Sequence, residues 1–90
     1  MLQTYSIIVT GVVQGVYYRQ STKEKAVALG ITGYVKNQPD GTVKIMASGS
    51  IDQLLQLVIW CKQGPPRAIV EAVNVETLPP TVFMGFRIER

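Results

Sequence analysis

The stretch Gly11-Val12-Val13-Gln14-Gly15-Val16-Tyr17-Tyr18-Arg19 constrains this chain more than any other, because it separates two segments of opposite character. Before it, Tyr5-Ser6-Ile7-Ile8-Val9-Thr10 is β-branched and aromatic, as strands are; after it, from Gln20, come Ser, Thr, Lys, Glu and Ala, as in helices. The nonapeptide is therefore a strand-to-helix loop. Its two glycines relieve the backbone of steric limits, so successive N–H groups can turn toward one point. There the first turn of the helix adds unpaired donors and the positive end of its dipole. A phosphate suits such a cradle. Arg19 falls where the loop meets the helix, and its planar fork can hold two phosphate oxygens while the backbone donors hold the third. The residues alone leave a second reading open, a glycine-rich turn followed by a surface arginine. Neither the G-x-x-x-x-G-K-[ST] nor the G-x-G-x-x-G spacing is present, which argues against a nucleotide triphosphate.

Around this loop the pattern predicts a sheet and two helices. A first strand over Thr4 to Thr10 turns Tyr5, Ile7 and Val9 to one face. A helix from about Ser21 to Leu29 sets Thr22, Ala26 and Leu29 on one stripe, and Gly30 closes it. A second strand, Ile31 to Asn37, carries Ile31, Gly33, Val35 and Asn37 on a common face. The turn Gln38-Pro39-Asp40-Gly41 then leads to a returning strand from Thr42 to Ser48, with Val43, Ile45 and Ala47 inward. Ser50-Ile51-Asp52-Gln53 has the spacing of a capping box, and Ile51, Leu54, Leu55 and Val58 follow as the expected buried stripe. Trp60 falls opposite that stripe and is expected to pack partly exposed near the helix end. Gly64-Pro65-Pro66 stops the helix. Ala68 to Thr77 is a strand whose alternation breaks near Glu71-Ala72, predicting a bulge, and Gly85 to Glu89 is a short last strand with Phe86 and Ile88 inward.

The order is βαββαβ with a terminal β, which predicts a ferredoxin-like α+β sandwich: a mainly antiparallel sheet with two helices on one face. Right-handed crossovers give the strand order 4-1-3-2, with the last strand added at an edge. That fold hosts enzymes, metal carriers, regulatory domains and RNA binders, so function has to come from the site.

Composition excludes several chemistries. Ninety residues make one domain, residues 1–90, able to bury roughly 60–68 % of its unfolded surface without staples. With one cysteine, Cys61, no internal disulfide is possible, and with no histidine a zinc site or a His-based acid/base system is excluded. Cys61 is expected to be a small packed residue. The N-terminal residues lack a signal-peptide pattern and no apolar run approaches a membrane span, so a cytoplasmic protein with no membrane association is expected, and a monomer suffices. A net charge of +3 favours anionic ligands mildly, and the scattered Lys and Arg do not make a duplex-binding face.

In this topology Asn37 ends the strand beside the third and could reach the mouth of the loop. A phosphate held by backbone N–H groups and Arg19 leaves one side open, where a neutral amide can orient a water. Without histidine or an acidic cluster for Mg²⁺, the matching substrate is an acyl phosphate, whose carboxylate leaves unprotonated. Asn37 is also compatible with a turn-forming role before Pro-Asp-Gly.

The nonapeptide, together with Ala28-Leu29-Gly30, Gly33-Tyr34-Val35-Lys36-Asn37, Asp40-Gly41-Thr42-Val43, Gly64-Pro65-Pro66-Arg67-Ala68 and Gly85-Phe86-Arg87-Ile88, resembles the acylphosphatase signature over nearly the whole chain. The resemblance implies a small ferredoxin-like enzyme that needs no metal or other cofactor and hydrolyses carboxyl-phosphate bonds of small acyl phosphates. By position, Arg19 is similar to the family's phosphate-binding arginine and Asn37 to its water-orienting asparagine. The backbone of Gln14, Gly15, Val16, Tyr17, Tyr18 and Arg19 is similar to its phosphate cradle. Tyr18 departs from the usual phenylalanine, and its hydroxyl needs a partner if buried. Three competing classes were weighed. A phosphate-binding module without turnover fits the loop equally well. An RNA-binding domain is disfavoured because Val43-Lys44-Ile45-Met46-Ala47 lacks stacking aromatics, and a metal carrier because the first loop has no cysteine pair.

Overall fold

A computed structural model describes residues 1–90. The elements run β1 (Gln3–Val12), α1 (Tyr18–Leu29), β2 (Thr32–Asn37), β3 (Val43–Gly49), α2 (Ile51–Gln63), β4 (Ile69–Leu78) and β5 (Phe86–Glu89). They form one five-stranded sheet in the order β4-β1-β3-β2-β5. Every neighbouring pair is antiparallel except β2 and β5, which are parallel. This is the expected ferredoxin-like sandwich, with its short last strand at an edge.

The helix-facing side of the sheet follows from strand alternation. Tyr5, Ile7 and Val9 of β1 stand opposite Ala47, Ile45 and Val43 of β3, and across β3 the same three face Gly33, Val35 and Asn37 of β2. All but Asn37 are buried, so this row is the floor of the core and Asn37 is its polar end. Gly33 is needed where it sits: with φ of 143°, a Cβ there would run into the Met46 carbonyl. In β4 the register moves from Thr10 opposite Ala72 to Gly11 opposite Val70, leaving Glu71 as the extra residue of the predicted bulge.

From above, α1 contributes Tyr18, Thr22 and Ala26, with Leu29 half-buried. Gly30 ends α1 in the left-handed region, its N–H donating to Ala26 and Val27 carbonyls. The helix starts at Tyr18, three residues before the expected Ser21, so Arg19 already lies in its first turn.

The buried stripe of α2 is also rotated from expectation. Leu54, Leu57 and Cys61 are fully buried, whereas Ile51 and Leu55 are exposed. A helix apolar on most of its circumference offers two stripes at helical spacing, and only the packing partner decides between them. Trp60 is half-buried near the helix end, with its ring centroid 5.5 Å from that of Tyr18. Burial pushes the Cys61 thiol up to about 12, against the opposing influence of the Tyr18 hydroxyl. It is thus a packed thiol with no nucleophilic character near neutral pH.

Candidate active site

The loop between β1 and α1 bends by alternating the sign of φ. Gly15 has φ of 74° and Tyr17 of 65°, while Gln14, Val16 and Tyr18 keep negative φ. Alternation of this kind turns consecutive N–H groups toward one side and makes a concave anion nest. The N–H groups from Gly15 through Gln20 find no partner within the chain, and the first helical hydrogen bond is Ser21 N–H to the Tyr17 carbonyl at 3.0 Å. No side chain caps the helix and no acidic residue sits in its first turn. The free donors and the positive end of the α1 dipole therefore converge on the same point. Glycine takes the left-handed region without penalty, but Tyr17 does so at a cost of about 1 kcal/mol.

Several contacts hold this geometry. Gln14 Nε2 donates to the Gln38 carbonyl at 2.8 Å and to the Thr42 carbonyl at 2.9 Å, tying the loop to the β2–β3 turn. Beneath the loop, Val13 and Val16 are buried. The Tyr18 ring lies under it as well, and its hydroxyl donates to the Cys61 carbonyl at 2.8 Å. The buried hydroxyl thus has the partner it requires, and burial raises its pKa well above the ordinary tyrosine value. Thr22 Oγ1 donates to the Tyr18 carbonyl at 2.7 Å and steadies the first turn. Arg19 Nη1 donates to the Glu89 carbonyl at 3.2 Å, which fixes one end of the fork to β5 and leaves the others toward the nest.

A cavity of about 560 Å³ opens over the nest, and Gly15, Tyr17, Tyr18, Arg19 and Asn37 line it. The structure therefore brings Asn37 to the loop from the far end of β2. Its Oδ1 is buried and accepts no hydrogen bond from the protein. A buried carbonyl oxygen is a strong acceptor whose desolvation without a partner costs about 1–3 kcal/mol, so this atom is poised for a donor from a molecule in the cavity. Of the other predicted residues, Gln14 and Val16 do not line the cavity; Gln14 acts as the clamp described above and Val16 packs beneath.

Three lining residues were not singled out from the sequence: Gln20, Arg67 and Arg90. The two arginines come from the turn after α2 and from beyond β5, separate in sequence and joined only by the topology. With Arg19 they make three guanidinium groups around the cavity, and no Asp or Glu lines it. No group of three His, Cys, Asp or Glu side chains is placed to hold a metal ion. No helix is long and apolar enough to cross a membrane.

Fold and site together define a small α+β sandwich with a cationic anion nest at one end of its sheet and an unpaired amide oxygen beside it. The acylphosphatase family model matches residues 5–88. An acylphosphatase of Marinobacter nauticus is 49 % identical over 87 residues, an alignment that spans 96 % of this chain and 95 % of that protein. Among solved structures, an acylphosphatase from Coxiella burnetii superposes with a TM-score of 0.95 at 38 % identity, covering 98 % of this chain and 93 % of the other. The acylphosphatase from Bacillus subtilis also gives 0.95, at 35 % identity over the full length of both. The chain belongs to the acylphosphatase family. Its activity is hydrolysis of the carboxyl-phosphate bond of small acyl phosphates.

Proposed function

We propose that the nest and Arg19 bind the phosphoryl group of an acyl phosphate while Asn37 orients the water that attacks it. The observation that carries this reading is the buried, unpaired Oδ1 of Asn37 facing the cavity beside the free N–H groups. A phosphoryl group in the nest receives backbone donors from Gly15 to Gln20 and the free donors of Arg19, which match its charge as it spreads over the equatorial oxygens. A water on the exposed side donates to Asn37 Oδ1, which turns a lone pair toward phosphorus. The new P–O bond forms as the bond to the acyl oxygen breaks. The carboxylate leaves with the electron pair, and the water's protons pass to phosphate oxygens and solvent. A carboxylate is a good enough leaving group to need no general acid, which suits a site without histidine.

The same reading takes residues 1–90 as one working domain, monomeric and cytoplasmic, acting without a metal ion, cofactor or nucleic acid. A core of sixteen buried residues closed within one chain supports the monomer, and a free buried thiol suits a reducing compartment. Hydrolysis in ¹⁸O-labelled water tests the chemistry directly. The expected result is label in inorganic phosphate and none in the carboxylate. Label in the carboxylate would mean attack at the acyl carbon and would overturn the role given to Asn37.

A further inference from the structure

The cavity holds more cationic chemistry than the transfer of one phosphoryl group uses. Arg19 and the nest account for the reacting group, yet Arg67 and Arg90 line the same space with no hydrogen bond or ion pair to the protein. Each is placed by an ordered element. Arg67 is a corner residue of the turn Pro65–Ala68, closed by the Ala68 N–H donating to the Pro65 carbonyl at 3.0 Å. That turn is seated against the cradle's underside, because Gly64 packs so closely on the Tyr18 ring that a Cβ there would lie 2.9 Å from Tyr18 Cε2. Arg90 follows the last registered pair of the parallel β2–β5 ladder, Lys36 with Glu89, so it stands level with Asn37, which follows Lys36 on the neighbouring strand. The one acid nearby, Glu89, gives its carboxylate to Arg87 at 2.9 Å and does not line the cavity.

Size points the same way. A phosphoryl group occupies the space of a few waters, at about 30 Å³ each, and so fills a fraction of a cavity of about 560 Å³. The remaining space is where the acyl part must lie, and its charged lining consists of arginines alone. A neutral acyl group would leave these two forks to solvent. An anionic one would meet both.

We propose that Arg67 and Arg90 form a second anion-binding locus that selects acyl phosphates whose acyl part carries a further anionic group, a carboxylate or a phosphate. The proposal rests on the nest being the site of the reacting phosphoryl group and adds the class of substrate. Both arginines are exposed, so the attraction is screened by salt and its effect is moderate, about three- to tenfold in kcat/KM.

The test compares benzoyl phosphate with 4-carboxybenzoyl phosphate in the wild type, in Arg67→Gln/Arg90→Gln, and in Lys44→Gln/Lys62→Gln. The last variant removes the same charge from residues outside the cavity. The wild type is expected to favour the carboxylated substrate three- to tenfold at low salt, less as salt rises. The arginine variant is expected to lose that preference, and the lysine variant to keep it. A glyceroyl phosphate bearing a second phosphate, run alongside, distinguishes carboxylate from phosphate as the favoured group. Equal losses on both substrates in the arginine variant would show that Arg67 and Arg90 grip the reacting group and would overturn the proposal, as would a preference that survives their removal. Absence of benzoyl phosphate hydrolysis by the wild type would instead overturn the parent reading.

Discussion

At the start of α2, Ser50 Oγ accepts the Gln53 N–H at 3.2 Å while Gln53 Oε1 accepts the Ser50 N–H at 2.8 Å, and Asp52 adds a negative charge in the first turn. At the start of α1 there is no side-chain cap and no acid, and a tyrosine occupies the left-handed region at the N-cap position. Both helices lie on the same face of one sheet, so the difference is not one of fold. One helix satisfies its own free donors and is stabilised by about 1 kcal/mol for it. The other leaves its donors open, beside an asparagine oxygen with no partner, and carries a strained residue as well. Local stability has been given up where an anion must be received.

Removing the cationic fork from the open end should have the largest effect. Arg19→Lys keeps a charge but loses bidentate geometry, and a fall of about 10²–10³ in kcat/KM for benzoyl phosphate is expected, since a donor aimed at transition-state charge is worth that much. Near-normal activity in this variant would show that charge alone suffices. Filling the open end with its own anion should come next. Asp tolerates the left-handed region, so Tyr17→Asp places a carboxylate at the α1 N-terminus without new backbone strain. Phosphate affinity is expected to fall about ten- to a hundredfold by like-charge repulsion, while stability to urea holds or rises by about 0.5 kcal/mol. Unchanged phosphate affinity, measured by calorimetry, would place the anion elsewhere. The converse change at the closed end should be smallest. Ser50→Ala is expected to cost about 1 kcal/mol, lowering Tm by roughly 4–8 °C, with phosphate affinity unaltered.

The same contrast separates what was legible in the sequence from what was not. The closed end could be read directly, because Ser50 and Gln53 at the right spacing announce a capping box. The Gly30 cap, the Gln38–Gly41 turn and the bulge at Glu71 were equally visible, since each depends on residues adjacent in sequence. The open end was legible as a loop, but the start of α1 was placed late, at Ser21. Tyr18-Arg19-Gln20 contains no residue that marks a helix start, and Tyr17 takes its left-handed conformation from its surroundings. The stripe of α2 was misplaced onto Ile51 and Leu55 because Leu54-Leu55 and Leu57-Val58-Ile59 are apolar on several sides, and the sheet beneath selects Leu54, Leu57 and Cys61. Asn37 was found because the strand order brought β2 beside β3. Arg67 and Arg90 were missed as site residues because only the turn after α2 and the parallel β2–β5 ladder carry them to the cavity.

The central claim is that the open end binds the phosphoryl group while Asn37 supplies the water. It is tested most directly by measuring benzoyl phosphate hydrolysis in the presence of a chelator together with phosphate affinity, for the wild type and Asn37→Ala side by side. The account predicts chelator-resistant turnover in the wild type, a fall of about 10²–10³ in kcat for the variant, and phosphate affinities that agree within a fewfold. Full turnover by Asn37→Ala, or loss of phosphate binding in step with turnover, would contradict it.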